Sequence, residues 1–111
     1  MKIRAGFVSN SSSSSFIINT DMSVEEVIAK MDLLVTSYNE FFGTNYNRET
    51  MMDVFSCSPE YLREMKENWG DYYDVPDHGD VIIESTQDNS IPYLMFEWIE
   101  GFFRCDRIHM G

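Results

Sequence analysis

The sequence predicts a small domain of the α+β or α/β class, in which a sheet of about three strands is covered by amphipathic helices. Three observations lead to this prediction. Long segments carry apolar residues at three- and four-residue steps, and short apolar runs of strand type lie between them. The length of 111 residues suits one hydrophobic core. We therefore take residues 1–111 as a single domain.

The first strand is predicted within residues 1–20. Ile3, Phe7 and Val8 form one apolar cluster, residues 16–18 form another, and a run of serines separates them. Two arrangements are open. Either the two clusters pair as a hairpin with a serine loop, or only the second cluster is a strand.

The longest predicted helix begins after Ser23. Ser23 and Glu26 have the spacing of a capping box, which satisfies backbone N–H groups at a helix start. Apolar residues then recur at helical spacing as far as Phe42, and Gly43 is a natural C-terminal stop. This pattern predicts that one face of the helix, with Leu34 at its middle, packs against the core.

Two shorter helices are predicted next. The first covers roughly residues 48–55. The second follows Ser58, because serine is a favoured N-cap and Pro59 suits the first helical position. Gly70 is predicted to end it.

A strand–helix–strand unit is predicted over residues 80–110. Residues 70–80 are predicted to form a loop, and the apolar run at 81–83 has the pattern of a buried strand. Residues 104–110 are predicted to form the final strand. If the two strands are parallel, their crossover should be right-handed.

The helix within this unit is predicted to begin at Ser90 as the N-cap, with Pro92 in its first turn. Its apolar residues surround most of the helix, which predicts a largely buried element. Trp98 and Phe102 are predicted to lie on its buried face.

The charge of the chain limits its partners. Nineteen acids and eight bases give a net charge of −11, which argues against direct binding of nucleic acid. No apolar stretch approaches the roughly 18 residues that a membrane span needs. There is no signal-peptide pattern, and two cysteines are too few for a disulfide framework. We therefore expect a cytoplasmic protein that does not bind membranes.

One segment is acidic and contains no Lys or Arg. It runs from 67 to 88 and holds seven acids: Glu67, Asp71, Asp74, Asp77, Asp80, Glu84 and Asp88. One interpretation is a solvated acidic loop and strand edge. The other is a docking surface for a basic protein partner, and these acids are then the partner-binding residues. Asp74, Asp77, His78 and Asp80 also offer metal ligands within seven residues, but the EF-hand pattern is absent. We therefore favour a solvated loop over a metal site and assign no metal or other cofactor.

The serine run is a second candidate site. It consists of Ser9, Asn10, Ser11, Ser12, Ser13, Ser14 and Ser15. Hydroxyl and backbone N–H groups in a turn can cradle an anion, although the glycines and lysine of a P-loop are absent. A flexible connection, an anion or ligand site and a recognition tag all stay open.

The sequence offers one possible nucleophile pair. Cys57 precedes a predicted helix start, where the helix dipole lowers a thiol pKa, and His78 or His109 would serve as the base. No flanking signature accompanies these residues. We assign no catalytic residue and favour a protein that is not an enzyme.

Four segments carry a resemblance to a known group of proteins. They are Phe-Val-Ser-Asn-Ser-Ser-Ser-Ser-Ser-Phe at 7–16, Asp-Val-Ile-Ile-Glu-Ser-Thr at 80–86, Asp-Asn-Ser-Ile-Pro-Tyr at 88–93, and Arg-Ile-His-Met-Gly at 107–111. Together with neighbouring residues they resemble a group of small phage and prophage-type proteins, over about half of the chain. The resemblance implies a mobile-element origin and a cytoplasmic setting, and it implies no particular activity.

These observations lead to three functional hypotheses. The leading one is a non-enzymatic acidic interaction protein of phage type that engages a basic partner. An anti-defence inhibitor of a nucleic-acid-handling protein is one form of it. The first alternative is a small enzyme or anion binder that uses the serine run, and the second is a virion or assembly component. Partner identity and oligomeric state stay open.

Overall fold

The structure is a computed structural model that describes residues 13–85, 91–105 and 107–110. Its strands are β1 (Ser13–Ile18), β2 (Met52–Ser56), β3 (Val81–Ser85) and β4 (Arg107–Met110). Its helices are α1 (Val24–Phe42), α2 (Arg48–Met51), α3 (Pro59–Trp69) and α4 (Tyr93–Phe103). The predicted fold class, a small sheet covered by amphipathic helices, is confirmed.

The four strands form one antiparallel sheet in the order β2-β3-β1-β4. Because β3 and β4 both run antiparallel to β1, they are parallel to each other, with β1 between them. The predicted strand–helix–strand unit is therefore a split β-α-β unit. β1 and β2 are likewise parallel, with β3 between them. Two interleaved units of this kind give the strand arrangement of ferredoxin-like folds.

Helices cover both faces of the sheet. The larger core cluster joins the sheet to α1 and α4 and includes Phe16, Ile18, Val27, Met31, Ile83, Met95 and Ile99. The smaller cluster, on the opposite face, joins the sheet to α3 and contains Ile17, Tyr61, Leu62, Met65, Val75 and Ile82. Neighbouring strand residues point to opposite faces. β3 is consequently buried at every position, as expected for a strand covered on both sides.

The start and end of α1 lie where the sequence predicts them. The Ser23 N–H donates to Glu26 Oε1 at 2.8 Å, and the Glu26 N–H donates to Ser23 Oγ at 3.1 Å. Gly43 has a φ of 69°, the left-handed conformation that ends helices and favours glycine. Leu34 is 7% exposed, so the predicted apolar face is buried.

The helix predicted over residues 48–55 is only partly correct. α2 ends at Met51, and the following five residues form β2, which pairs with β3 from Met52↔Ser85 to Ser56↔Val81. Val54 and Phe55 suit a strand because β-branched and aromatic side chains pack well on a pleated surface. Pairing with a strand about 30 residues later thus overrides the local helical pattern.

The starts of α3 and α4 differ in how well they were predicted. Ser58 Oγ accepts from the Tyr61 N–H at 3.1 Å and Pro59 begins α3, as predicted. α4 begins at Tyr93 with Pro92 at the N-cap position, so the prediction of Pro92 inside the first turn is wrong. Ser90 lies outside the described residues. No helix in the described ranges is both long and apolar enough to cross a bilayer.

Candidate protein-interaction groove

A groove runs along β2, the strand at one end of the sheet. All five residues of β2 line it, together with Ile28 of α1, Arg48 and Glu49 of α2, the α3 N-cap Ser58, and Glu60, Tyr61 and Glu64 of α3. The groove has a volume of about 690 Å³. It forms because helices on both faces of the sheet flank the edge strand. We call it the β2 groove.

The two walls of the β2 groove differ in chemistry. Met52 and Val54 face the larger core cluster, on the side of α1. Phe55 faces α3, where its ring centroid lies 5.7 Å from that of Tyr61. Asp53 points to the same side as Phe55 because strand side chains alternate between faces. The α1 wall is therefore largely apolar, whereas the α3 wall carries acidic groups.

Four carboxylates line the β2 groove: Glu49, Asp53, Glu60 and Glu64. Among the described lining residues, Arg48 is the only one with a positive charge. Its Nε donates to Asp32 Oδ1 at 2.6 Å, and its Nη1 lies 3.4 Å from the Met52 carbonyl oxygen. Because Asp32 already neutralises Arg48, the groove presents a negative potential.

The backbone orientation of β2 follows from its hydrogen bonds. The Cys57 N–H donates to the Asp80 carbonyl at 3.0 Å, directly beyond the end of the β2–β3 ladder. Hydrogen-bonded pairs alternate in antiparallel ladders. The backbone groups of Asp53 and Phe55 therefore face β3, and those of Met52, Val54 and Ser56 face the outer edge. No strand among the described residues pairs with that edge.

No protein-family model, curated protein or solved structure matches this chain.

A buried polar cluster lies behind the acidic wall. The Tyr61 hydroxyl is 2.8 Å from Ser15 Oγ and donates to Glu84 Oε2 at 3.2 Å. Ser15 and Glu84 are opposite each other in the β1–β3 ladder, and Glu84 is 1% exposed. Burial, and then the Glu84 carboxylate, raise the pKa of Tyr61 well above its usual range. The phenol therefore stays protonated as a hydrogen-bond donor, and the cluster fixes the Tyr61 ring in the groove wall.

The predicted acidic segment does not form one surface. Glu67, Asp71 and Asp74 are exposed. Asp77 forms an ion pair with Lys66, and the hydrogen bond and charge of that ammonium lower the pKa of Asp77. The segment contains no base, yet Lys66 lies immediately before it and supplies one from α3.

The remaining acids of the segment have structural roles or lie elsewhere. Asp80 Oδ2 accepts from the Thr20 N–H at 2.8 Å, and Asp80 Oδ1 lies 3.1 Å from His78 Nε2. Glu84 lies in β3 on the face that α3 covers, and its side chain is buried there. It is therefore not part of an accessible partner-binding surface. Asp88 lies outside the described residues.

The serine run is not a loop where the structure describes it. Ser13, Ser14 and Ser15 belong to β1, an inner strand that pairs with β3 and β4. Ser14 and Ser15 are completely buried, and the Ser14 N–H donates to Ser85 Oγ at 2.8 Å. These two side chains are therefore not available to an external anion. Residues 9–12 lie outside the described residues.

Among the described side chains, the possible catalytic and metal-ligand residues form no reactive arrangement. Burial, and then the charge of Asp80, raise the pKa of the Cys57 thiol, which opposes formation of the nucleophilic thiolate. His109 lies in β4, and the structure does not describe its side chain. Within the described part of the chain, no three His, Cys, Asp or Glu side chains are placed to hold a metal ion.

The acids of the β2 groove were missed in the sequence. Glu60 and Glu64 are spaced four residues apart, which places them on one face of α3 and was the available signal. The sequence pattern predicts a helix at Asp53, and in a helix Asp53 and Val54 do not point to opposite faces as they do in β2. Their convergence on one groove depends on the position of β2 at the sheet edge.

A second, apolar groove lies between α1 and α4. Its volume is about 370 Å³, and its lining includes Leu33, Leu34, Trp98 and Phe102. Leu33 is 59% exposed, Phe102 54% and the nearby Phe41 75%. The prediction that Phe102 is buried is therefore wrong. α4 buries Met95 and Ile99 against the sheet and leaves its outer face in solvent.

Proposed function

We propose that this protein is a non-enzymatic interaction protein that binds a basic segment of a partner protein in the β2 groove. The observation that carries the proposal is the presence of Glu49, Glu60 and Glu64 in one groove whose only described cation, Arg48, is already paired with Asp32. Lys or Arg side chains of a partner would complement this negative charge. Electrostatic complementarity of this kind favours both encounter and specificity.

The biological setting of this proposal follows from the resemblance to phage and prophage-type proteins. An acidic groove competes with phosphate groups for Lys and Arg side chains. We therefore propose that the partner is a basic, nucleic-acid-handling protein in the cytoplasm, and that the interaction inhibits it. The net charge of −11 supports a protein partner over nucleic acid itself.

The exposed acids at the end of α3 and in the loop after it contribute differently in this proposal. Glu67, Asp71 and Asp74 are solvent-exposed and lie outside the β2 groove. Charges of this kind mainly accelerate association and are screened beyond ~10 Å at 0.1 M salt. They would attract a basic partner without making the contacts that hold it.

The proposal is tested with a hexalysine peptide and two variants that remove equal charge. Glu60→Gln with Glu64→Gln neutralises the acidic wall of the groove. Asp71→Asn with Asp74→Asn neutralises two acids of the loop and is the matched control. Binding is measured by calorimetry at 50 and 200 mM salt.

We expect the groove variant to lose most of the affinity at both salt concentrations. The loop variant should keep it, with a modest change that disappears at the higher salt. Equal affinity for the wild type and the groove variant would contradict the proposed site. If the loop variant loses binding and the groove variant keeps it, the partner binds the acidic segment at 67–88 and not the β2 groove.

The apolar groove between α1 and α4 favours a second candidate function, that of an assembly component. Exposed apolar patches of this kind mark interaction surfaces in soluble proteins. Sedimentation of the wild type and of Phe41→Ser with Phe102→Ser tests this candidate. A wild-type oligomer that dissociates in the variant supports it, and a monomeric wild type at high concentration argues against it.

A further inference from the structure

We infer that the β2 groove binds its partner as an added β-strand, in which basic and aliphatic side chains alternate. This inference rests on the proposed function and specifies its binding mode. The occupant is an extended segment of a partner protein, paired with the outer edge of β2 as the fifth strand of the sheet. Three features of the groove lead to it: the orientation of the backbone, the length of the edge and the chemical difference between the two walls.

The backbone of β2 is oriented for strand addition. The Cys57–Asp80 hydrogen bond fixes which residues face β3, so Val54 and Ser56 direct their N–H and C=O groups to the outer edge. Edge strands of this kind are templates for pairing with another chain. The volume of about 690 Å³ beside the edge leaves room for a strand.

The dimensions of the edge set the length of the occupant. β2 has five residues, but Met52 is completely buried, so the accessible edge runs from Asp53 to Ser56. At about 3.4 Å per residue, these four residues offer roughly 14 Å of edge. About four residues of an added strand match that length.

The two walls determine the side-chain pattern of the occupant. Successive residues of an added strand point to opposite faces of the sheet. One set lies against the α3 wall, where Glu60 and Glu64 select Lys or Arg. The other set lies against the α1 wall, where Ile28 and Val54 select aliphatic side chains. The preferred occupant therefore alternates basic and aliphatic residues.

Charge distinguishes this occupant from a second copy of the chain. Two copies would each bring a net charge of −11 to the interface. Like charges that face each other across an interface oppose association. Charge complementarity thus favours a basic partner segment over self-association.

The first experiment compares peptides on the unmodified protein. The probe is the heptapeptide Lys-Val-Lys-Val-Lys-Val-Lys, and its control is Lys-Lys-Lys-Lys-Val-Val-Val, which has the same composition and charge. We expect the alternating peptide to bind at least about tenfold more tightly, because only it places all lysines on one wall. Equal affinities would overturn the inference and leave simple charge attraction, and therefore the proposed function, intact.

The second experiment tests the backbone hydrogen bonds. Two versions of the alternating peptide carry N-methyl groups either on the valines or on the interior lysines. In an added strand, only every second N–H faces β2, so one version should lose at least about tenfold in affinity and the other should bind. Equal affinities for the two versions would overturn strand addition.

A pair of variants tests the same contact from the side of the protein. Val54→Pro removes an outward N–H without removing a β2–β3 ladder bond, and Val54→Ala keeps that N–H. We expect only the proline variant to lose peptide affinity. An increase in affinity for the alternating peptide after Lys2→Ala with Arg4→Ala would show that the chain's own basic N-terminal residues compete for the groove. Dimerisation that Val54→Pro abolishes would assign it to a second copy. Either result would overturn the partner-segment inference.

Discussion

The Tyr61 hydroxyl and Glu84 Oε2 are 3.2 Å apart in the interior of the protein, although they belong to α3 and β3. This hydrogen bond joins α3 to the face of the sheet that it covers. It also fixes one wall of the β2 groove, because the Tyr61 ring lines that groove. The stability of the fold and the shape of the candidate site are therefore linked at this contact.

Tyr61→Phe should destabilise the protein by about 1–3 kcal/mol. The substitution keeps the ring and removes the hydroxyl that contacts Ser15 and Glu84, both of which are buried. The matched control is Tyr72→Phe, whose side chain is 76% exposed and should change stability by less than about 0.5 kcal/mol. Urea denaturation measures both. Similar midpoints for the two variants would show that the polar cluster contributes nothing to stability.

Stability should fall at alkaline pH, and Tyr61 should account for part of the decrease. The pKa of Tyr61 is raised in the folded protein, so above about pH 10 the unfolded chain loses this proton before the folded chain does. The unfolded state then binds fewer protons, and the free energy of unfolding decreases with pH. Denaturation between pH 8 and 11 should show a shallower decrease for Tyr61→Phe than for the wild type. Parallel pH profiles would contradict the raised pKa.

Gly79→Ala and Gly101→Ala should have opposite effects. A Cβ at Gly79 would lie 2.5 Å from Ile17 Cγ2 and 3.1 Å from Cys57 Sγ, so the substitution forces the packing under α3 to shift. A Cβ at Gly101 meets nothing within 4 Å, and alanine favours a helix by about 0.5–1 kcal/mol over glycine. We expect a lower melting temperature for Gly79→Ala and a higher one for Gly101→Ala. Tolerance of alanine at position 79 would show that the loop is not packed against β1.

Ser23→Ala should lower stability by about 1 kcal/mol. Ser23 Oγ accepts the Glu26 N–H at the start of α1, and alanine leaves that donor without its capping partner. Ser37→Ala is the control, because Ser37 is an exposed residue within the same helix and alanine is the better helix former. Thermal unfolding followed by circular dichroism compares them. A Ser23→Ala variant as stable as Ser37→Ala would mean that the cap contributes no net stability.

The local elements of this fold follow from particular residues. Ser23 with Glu26 and Ser58 with Pro59 mark helix starts, and Gly43 marks a helix end, because each satisfies or stops the backbone hydrogen-bonding pattern within a few residues. The apolar run at 81–83 indicates a buried strand for a similar reason, since its composition suits a position between two layers. Each of these signals involves residues that are close in the sequence, so a sequence pattern can show it.

The β2 groove depends on contacts between residues that are far apart in the sequence, which no local pattern can show. The short run from Met52 to Ser56 is compatible with a helix or a strand, and pairing with β3 decides between them. The same pairing places Asp53 beside Glu60 and Glu64. It also buries Glu84, which the sequence places among exposed acids.

The sequence by itself determined the class of the fold, the ends of its principal helices and the acidic character of the protein, because these follow from short-range periodicity and composition. Only the tertiary structure decided which acids share a surface, which serines are buried and where an edge strand lies. The physical reason is that strand order and the face that each strand residue presents are set by pairing between distant segments. One alternation along β2 therefore separates the acidic wall from the apolar wall.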